Sequence, residues 1–327
     1  MASPSGPYRL PSEVRGSEAR AADGGANMTD NLRGILAVLA ASTAFVGHDT
    51  TVKLVSAELA SGQIVILRGL IATVMLAAGV AVVGAMRPLS ILLTPLMLLR
   101  LLAAAGATVF VVMALRYLPL ATSTTVLQAT PLVVTAGAAL LYGDVVGWRR
   151  WAAVLTGFLG VVLIVKPGGH FGAAAYLILI ALVCTTARDL STRGLPRNIP
   201  SIFVAAASTA VATLTGFAIL PFDAAWSVPT PWAWVMLTVC AACLFVATTF
   251  ITVGLRTGEI AVTAPFRYAP VPLSLALGWW LWGDAPDSIA WLGIALVLGA
   301  GLYTLHRERA TLRAMPAPQL IQRSPAE

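Results

Sequence analysis

The chain has 327 residues, of which 58% are hydrophobic and only 11% are charged, and its mean hydropathy is +0.85. Soluble domains carry about 25% charged residues, so this composition excludes an ordinary soluble protein and indicates that lipid is the solvent. We read the formal net charge of +7 as a sign of membrane orientation, and nucleic acid is not expected as a partner.

The predicted elements are ten apolar stretches, each long enough for a helix to cross a hydrocarbon core of about 30 Å. Few of them alternate with the period of two that a β-barrel requires, so we expect an all-α integral membrane protein. In chain order the stretches lie near 33–54, 62–85, 96–116, 120–142, 148–166, 172–191, 200–220, 231–254, 259–282 and 288–305.

The second half of the chain repeats the first half at a constant offset of 140 residues. Residues 114–144 align without a gap with residues 254–284. The matched Arg, Asp and Trp positions carry the most weight: Arg116, Asp144 and Trp151 align with Arg256, Asp284 and Trp291. At the same offset, His48, Asp49, Thr51 and Lys53 align with Arg188, Asp189, Ser191 and Arg193. Since five helices per repeat is an odd number, the second copy enters the membrane from the opposite face, which predicts two inverted five-helix repeats.

This repeat divides the chain into four predicted segments. Residues 1–32 form a disordered cytoplasmic tail, residues 33–167 the first repeat, residues 168–305 the second repeat, and residues 306–327 a second cytoplasmic tail. The pair Gly168-Gly169 is the predicted joint between the repeats. The first 30 residues lack an apolar core segment, so they are not interpreted as a signal peptide.

Charge placement predicts the orientation, because Lys and Arg are retained in cytoplasmic loops. With the chain starting inside, most loop arginines fall on the cytoplasmic side. Only Lys53, Arg116 and Lys166 fall on the other side. We therefore expect both termini in the cytoplasm.

Little in the sequence suggests bond-making chemistry. The three cysteines, Cys184, Cys240 and Cys243, all lie in apolar spans and are interpreted as helix packing residues. No HExxH, GxSxG or P-loop motif occurs. We expect no catalytic residue, no metal and no cofactor, and a channel or an intramembrane enzyme is the less favoured alternative class.

Several segments resemble the drug/metabolite transporter superfamily, and specifically its EamA-type branch. They are ALRYLPLATSTTVLQATPLVV at 114–134, the glycines Gly157 and Gly160, the pattern of His48, Asp49 and Lys53 with Gln63 and Arg68, and APFRYAPVPLSLALGWWLWGD at 264–284. The resemblance covers about residues 33–305 and implies a ten-helix carrier of small organic metabolites in the inner (plasma) membrane. Members commonly carry Glu where this chain has Asp144 and Asp284, a departure that we expect to affect helix ends and not selectivity.

Charged residues inside spans are candidates for function, because a charge in the hydrocarbon core is costly and faces a cavity or a partner. From the rise of about 1.5 Å per residue, Asp49 and Arg68 reach a similar depth and are predicted partners, next to His48 and with Lys53 on the same helix face. The repeat-related group Arg188, Asp189 and Arg193 lies toward the opposite end of the protein. Two hypotheses remain open: the groups are gates or coupling sites, or they only anchor helices.

Arg267 lies nearer the midplane, in a span interrupted by Pro265, Pro270 and Pro272. Prolines at this density remove helical hydrogen bonds and can expose backbone groups to a cavity. We predict that spans four and nine form the walls of the binding site and that Arg267 holds a carboxylate or phosphate. The predicted substrate-binding residues are Arg267, Gln128, Tyr268, Thr124 and Thr263; the alternative is a purely structural Arg267.

The expected partners are a small-molecule solute, membrane lipid and, as a candidate coupling ion, the proton. Asp49 is the best placed of the carboxylates that could titrate in a cavity, ahead of Asp189 and Glu259. An amino acid or S-adenosylmethionine would suit an Arg267 clamp, and riboflavin is the alternative. Import and export, and a monomer and a homodimer, are all compatible with the sequence.

Overall fold

The computed structural model describes residues 28–142, 147–166, 172–196, 198–222, 225–257 and 263–313. Within these ranges every regular element is helical. The predicted joint at Gly168-Gly169, Asp144, Glu259 and most of the two predicted tails lie outside the described residues, and so does the side chain of Arg193.

The described residues form eleven α-helices and three short 3-10 turns. The α-helices are α1 (Met28–Val55), α2 (Ser61–Val82), α3 (Pro95–Tyr117), α4 (Leu120–Leu127), α5 (Thr130–Tyr142), α6 (Trp148–Val165), α7 (Gly172–Arg193), α8 (Ser201–Ile219), α9 (Pro231–Thr257), α10 (Pro270–Trp282) and α11 (Ser288–Arg313). The 3-10 turns are Leu89–Leu93, Leu220–Phe222 and Ala264–Tyr268.

Nine helical stretches within the described ranges are long and apolar enough to cross a membrane. They correspond to nine of the ten predicted spans, with α4 and α5 together making one of them. The remaining span contains α10, whose 13 residues are too few to cross a hydrocarbon core alone. This composition and length make the chain a multi-pass membrane protein.

Two of the predicted spans are interrupted. We predicted helices over 120–142 and 259–282, but α4 ends at Leu127 and α5 starts at Thr130, while the 3-10 turn Ala264–Tyr268 precedes α10. Pro131 and Pro270 stand at the start of the second halves. Proline has no backbone N–H to donate and its ring collides with the preceding turn, so a continuous helix is broken at these points.

Local sequence explains several helix ends. Pro95, Pro231 and Pro270 are the first residues of α3, α9 and α10, a position where the missing N–H costs nothing. Gly283 follows α10 with φ of +68°, the left-handed conformation that glycine adopts most easily and that closes a helix. As a result, Asp284 is held directly at the end of α10.

Contacts between loops define two ends of the helix bundle. We call the end that holds Lys53, Leu118 and Asp284 the Lys53 end, and the opposite end, where Arg100 contacts Thr192, the Arg100 end. α1 runs toward the Lys53 end and α7 runs toward the Arg100 end. The first helices of the two halves therefore point in opposite directions, as the inverted arrangement requires.

Helix pairing also relates the two halves. The most extensive contacts between helices join α1 with α9 and α3 with α7, so the first helix of each half packs on the third helix of the other. α2 packs on α8, α4 on α10 and α6 on α11, which are equivalent helices of the two halves. The two main hydrophobic cores lie around Ile64, Leu115 and Leu237 and around Val161, Ile178 and Val297.

Glycine allows the closest helix approach. A Cβ atom built on Gly160 of α6 would lie 2.7 Å from the carbonyl oxygen of Gly293 in α11, and one on Gly293 would lie 2.7 Å from the Gly160 oxygen. No side chain fits at that distance, so backbone packs directly on backbone. Small residues at helix interfaces have this role in lipid, where association depends on van der Waals packing.

Candidate functional site

Four side chains meet between α1, α2 and α9, and we call them the His48 cluster: His48, Asp49, Arg68 and Cys240. His48 Nδ1 lies 2.8 Å from Asp49 Oδ1, and His48 Nε2 contacts the guanidinium of Arg68. The Cys240 sulfur lies 3.7 Å from the His48 backbone oxygen. His48 is 7% exposed and Arg68 is 5% exposed, so the cluster is almost completely buried.

The two predicted partners in this cluster do not touch directly. No ion pair joins Asp49 to Arg68 in the described structure, because the His48 imidazole lies between them. The Arg68 Nε atom is also buried and has no hydrogen-bond partner among the described residues. Arg68 is therefore a buried cation that donates a hydrogen bond to a histidine, and within the described structure it makes no ion pair with a carboxylate.

A second polar group lies toward the Arg100 end, and we call it the Arg188 cluster: Arg100, Arg188, Asp189 and Ser208. Arg188 Nη2 lies 2.8 Å from Asp189 Oδ1. Arg100 donates from Nη1 to Ser208 Oγ at 2.5 Å and from Nε to Thr192 Oγ1 at 2.9 Å. The Arg188 and Asp189 side chains are 37% and 36% exposed.

The two clusters occupy equivalent positions in the repeats. His48, Asp49, Arg68 and Arg100 lie 140 residues before Arg188, Asp189, Ser208 and Cys240 respectively. Each cluster therefore draws on the first and second helices of one repeat and the third helix of the other. The residue types differ between the clusters. On the second helix, Arg68 of the His48 cluster corresponds to Ser208 of the Arg188 cluster, and on the third helix Cys240 corresponds to Arg100.

Lys53 belongs to a separate contact at the Lys53 end. Its Nζ donates to the Leu118 backbone oxygen and to Asp284 Oδ2, both at 3.0 Å, and lies 4.7 Å from the centre of the Trp282 ring. We call Lys53, Leu118 and Asp284 the Lys53 lock. It joins α1 to the α3–α4 turn and to the end of α10, so three parts of the chain from both halves are held together.

The two interrupted spans meet where both helices break. Gln128, which follows α4, donates from Nε2 to the backbone oxygen of Arg267 at 2.6 Å. The Arg267 side chain is exposed and makes no ion pair with another described residue. The interruption thus presents an available cation next to unwound backbone.

The other three predicted binding residues lie elsewhere around the interruption. Tyr268 is 7% exposed and packs over Gly301 of α11, where a Cβ atom would overlap the Tyr268 hydroxyl. Thr124 is 6% exposed and its hydroxyl has no hydrogen-bond partner in the described structure, and Thr263 is fully buried. Of the five, the structure brings Gln128 and Arg267 into hydrogen-bond contact.

Two cavities lie away from these groups. One of about 440 Å³ lies between α3 and α8 and is lined by residues such as Leu102, Phe110 and Phe222. The other, of about 310 Å³, lies among α5, α6 and α7 and is lined by apolar side chains such as Phe158 and Leu179. Both linings are apolar, as expected for surfaces that face lipid.

Sequence reasoning missed Arg100, Cys240, Ser208 and the pairing of Asp284 with Lys53. Arg100 was interpreted as an orientation charge, Cys240 as packing and Asp284 as the end of a helix. The repeat offset could have identified three of them, because it places Arg100 on Cys240 and Arg68 on Ser208. Polar residues at equivalent positions of two repeats are a signal even when their types differ.

Comparison with known proteins identifies the family. The model of the EamA-like transporter family matches residues 32–166 and 172–305. A riboflavin transporter of Rhizobium johnstonii is 29% identical over 63% of this chain and 68% of its own length. The pseudopaline exporter CntI of Pseudomonas aeruginosa is 26% identical over 82% of this chain and 94% of its own length.

Two further similarities extend the picture. An S-adenosylmethionine uptake transporter of Rickettsia prowazekii is 21% identical over 59% of this chain and 66% of its own length. One solved crystal structure has a TM-score of 0.57 and covers 88% of this chain and 99% of that chain, at 20% sequence identity. The crystal structure supports the fold alone, while the relatives include both importers and exporters by name.

Proposed function

We propose, since this chain belongs to the EamA-like transporter family, that it moves an anionic or zwitterionic metabolite by secondary active transport with alternating access. The relatives are transporters of small metabolites and not enzymes, and that coarser activity is shared by this chain. The proposal adds the class of solute and the residues that recognise it.

The observation that carries the solute class is the available Arg267 at the meeting point of the two broken spans. Its backbone oxygen accepts the Gln128 hydrogen bond, and its guanidinium makes no ion pair with another described residue. A guanidinium offers a planar, paired set of donors that matches a carboxylate or a phosphate. Interrupted helices near the midplane form the substrate site in many carriers with inverted repeats. Gln128 positions Arg267, and we include Thr124, Thr263 and Tyr268 as surrounding residues of the site.

We further propose that the His48 cluster and the Arg188 cluster, with Arg193 at its edge, belong to opposite gates. The buried His48 cluster and the Lys53 lock lie toward the Lys53 end, and their burial supports a closed gate there. The Arg188 and Asp189 side chains are more than a third exposed, which supports an open path from the Arg100 end. Alternating access would then open the Lys53 end and close the Arg100 end.

Charge distribution supports a location of the Arg100 end in the cytoplasm. Arg87, Arg100, Arg149 and Arg150 lie toward this end, and positive residues are enriched in cytoplasmic loops. We therefore propose an inner (plasma) membrane protein with both termini in the cytoplasm and the described gate open to the inside. A proton gradient is the proposed driving force, with the coupling site in the His48 cluster.

Uptake into proteoliposomes tests the solute class. The purified full chain is assayed with radiolabelled amino acids, S-adenosylmethionine and riboflavin, with and without a pH gradient. We expect a solute that carries a carboxylate to be transported, and Arg267→Ala to reduce its uptake at least tenfold, since a charge-assisted bidentate contact is worth about 1.5–3 kcal/mol. Arg267→Lys should retain part of the activity because it keeps the charge.

Arg149→Ala is the matched control, since Arg149 is an exposed arginine stacked on Trp148 and distant from the interruption. Its uptake should equal that of the unmodified chain. Transport of a carboxylate solute that is unchanged in Arg267→Ala would overturn the recognition proposal. Uptake of riboflavin, with no dependence on Arg267, would instead favour the alternative that the name of the Rhizobium johnstonii relative suggests.

A further inference from the structure

The contacts of His48 determine which ring nitrogen carries its hydrogen. An arginine guanidinium has only N–H donors, so the His48 Nε2 atom that contacts Arg68 accepts the hydrogen bond through its lone pair. The hydrogen of the neutral ring is then on Nδ1, which donates to Asp49 Oδ1 at 2.8 Å. In this arrangement His48 is a neutral imidazole between a cation and an anion.

The repeat supplies a second view of the same position. Arg188 stands where His48 stands, and it is permanently charged and paired with Asp189 at 2.8 Å. The residue in the position of Arg68 is the neutral Ser208, whose hydroxyl accepts a bond from Arg100. In the Arg188 cluster, therefore, the second helix is bonded to Arg100 and not, among the described contacts, to Arg188, the cation next to the aspartate.

The two clusters differ in charge as well as in burial. The His48 cluster holds one carboxylate and one guanidinium, so with a neutral imidazole its net charge is zero. The Arg188 cluster holds one carboxylate and two guanidinium groups, so it carries one excess positive charge. His48 and Asp49 side chains are 9% and 18% exposed, against 37% and 36% for Arg188 and Asp189.

We propose that His48 Nε2 is a proton-binding site at which a proton competes with Arg68. This proposal rests on the proposed transport function and names the group that takes the coupling proton, a histidine and not a carboxylate. One proton from water adds to the Nε2 lone pair, the hydrogen bond from Arg68 breaks, and the imidazolium keeps its Nδ1–H bond to Asp49. The cluster gains one positive charge and then matches the charge of the Arg188 cluster.

Few other charged groups face His48, so the replacement of the Arg68 hydrogen bond by a proton is the main change of charge in the His48 cluster. The charged or titratable groups that face it are Asp49 on α1, Arg68 on α2 and Cys240 on α9. Lys53, on the next turn of α1, is bonded to Leu118 and Asp284. No other described cation shares Asp49 with the imidazolium.

Among the described residues, Arg68 makes no other hydrogen bond that could replace its contact with His48 once the proton is bound. Its Nε atom already lacks one, and a buried cation without partners is strongly unfavourable. Arg68 must therefore move toward water or toward an anion. The bond that joins α1 to α2 in the buried cluster is lost, which links proton binding to a rearrangement of these helices.

Nitrogen-15 NMR of histidine-labelled full chain in nanodiscs tests the proton site without any solute. The chain contains three histidines, so His170→Gln with His306→Gln leaves His48 as the one reporter. At about pH 9 we expect the neutral ring with its hydrogen on Nδ1, and on acidification to about pH 5 we expect the imidazolium signal. A ring that keeps one protonation state throughout this range would overturn the proposal.

Arg68→Gln tests the competition. Removal of the cation should move the His48 titration midpoint to higher pH by about one unit or more, because a neighbouring positive charge disfavours the imidazolium. Ser208→Ala, at the equivalent position of the other repeat, should leave the midpoint unchanged. A midpoint that Arg68→Gln does not move would also overturn the proposal. If the glutamine variant does not fold, Arg68→Lys serves with the opposite expectation: it keeps the charge, so the His48 midpoint should stay within about half a unit of that of the unmodified chain, and a rise of about one unit or more would overturn the proposal.

This test separates the proton site from the proposed transport function. A failed uptake assay with an observed, Arg68-dependent titration would reject the solute proposal and leave the proton site in place. Uptake with a His48 ring that never titrates would do the reverse.

Discussion

The His48 cluster and the Arg188 cluster derive from the same positions of two repeats and yet differ in burial, charge and connectivity. In the first, a neutral histidine bridges an arginine and an aspartate, and the cluster is almost completely buried. In the second, a permanent Arg188–Asp189 pair is more than a third exposed. The repeated fold therefore places two clusters at equivalent positions, and their different residues give the two clusters a different charge and a different burial.

This difference suggests how an inverted repeat can respond in only one half. In a carrier with two identical gates, both gates would bind a proton equally well. Of the two clusters, only the His48 cluster contains a group with an ordinary pKa close to physiological pH, the His48 imidazole. The Arg188 cluster has an arginine in that position, so its charge stays constant across the physiological range.

The largest expected effect comes from removing Arg68. Arg68→Met should lower the free energy of unfolding by about 3 kcal/mol, because the loss of one partner leaves buried polar groups uncompensated. The equivalent Ser208→Ala removes one hydrogen bond acceptor for Arg100 and should cost about 1 kcal/mol. Unfolding by SDS titration in mixed micelles at about pH 8 measures both values. Equal losses would contradict the distinction between a buried and an open cluster.

An intermediate effect is expected from glycines at the two ends of α2. A Cβ atom on Gly62, at the Lys53 end, would lie 3.1 Å from the backbone oxygen of Gly216 in α8. At Gly79, toward the Arg100 end, the Cβ would meet side-chain atoms of Ile202 and Phe245 at 3.0 and 3.2 Å. Backbone cannot yield as side-chain ends do, so Gly62→Ala should cost about 2 kcal/mol and Gly79→Ala less.

The two glycine variants control for each other. Alanine improves helix propensity at both positions by a similar amount, so the difference between them reports packing. Thermal unfolding of each purified variant, followed by circular dichroism, gives the comparison. A Gly79→Ala variant that is less stable than Gly62→Ala would show that the tighter contact is at the Arg100 end.

A smaller effect is expected at the Lys53 lock. A double-mutant cycle of Lys53→Met and Asp284→Asn should give a coupling energy of about 1 kcal/mol, as for a partly buried ion pair. The cycle uses SDS unfolding at about pH 7 on the two single variants and the double variant. A coupling energy of zero would remove the lock as a contributor to closure of the Lys53 end.

Lys166 and Asp287 provide the matched exposed pair at the same end. The hydrogen bond from Lys166 holds the pKa of the Asp287 carboxyl below its ordinary value. Its contribution to stability is therefore complete above the ordinary carboxyl pKa of about 3.9 and is lost as the pH falls through the lowered folded value. Because Asp287 is exposed, we expect a smaller coupling than at the Lys53 lock, and one that is constant from about pH 5 upward.

Much of the candidate site could be anticipated from depth along the helices. A count of residues predicts Asp49 near the level of Arg68, and in the structure both side chains contact His48. Prolines mark the spans around Gln128 and Arg267. The count could not show that His48 lies between Asp49 and Arg68, because that depends on how each helix is rotated about its axis. It also could not place Tyr268, whose ring turns toward α11 because Gly301 leaves space for it.

The sequence by itself determined the membrane class, the all-helical structure and the repeated halves, because hydropathy, span length and a constant offset are properties of the linear chain. Only the tertiary structure decided which polar groups touch and which of the two clusters is buried. His48 and Cys240 are 192 residues apart and meet because α1 packs on α9. In lipid the hydrophobic effect does not select helix partners, so these contacts follow from close packing and hydrogen bonding between particular helix faces.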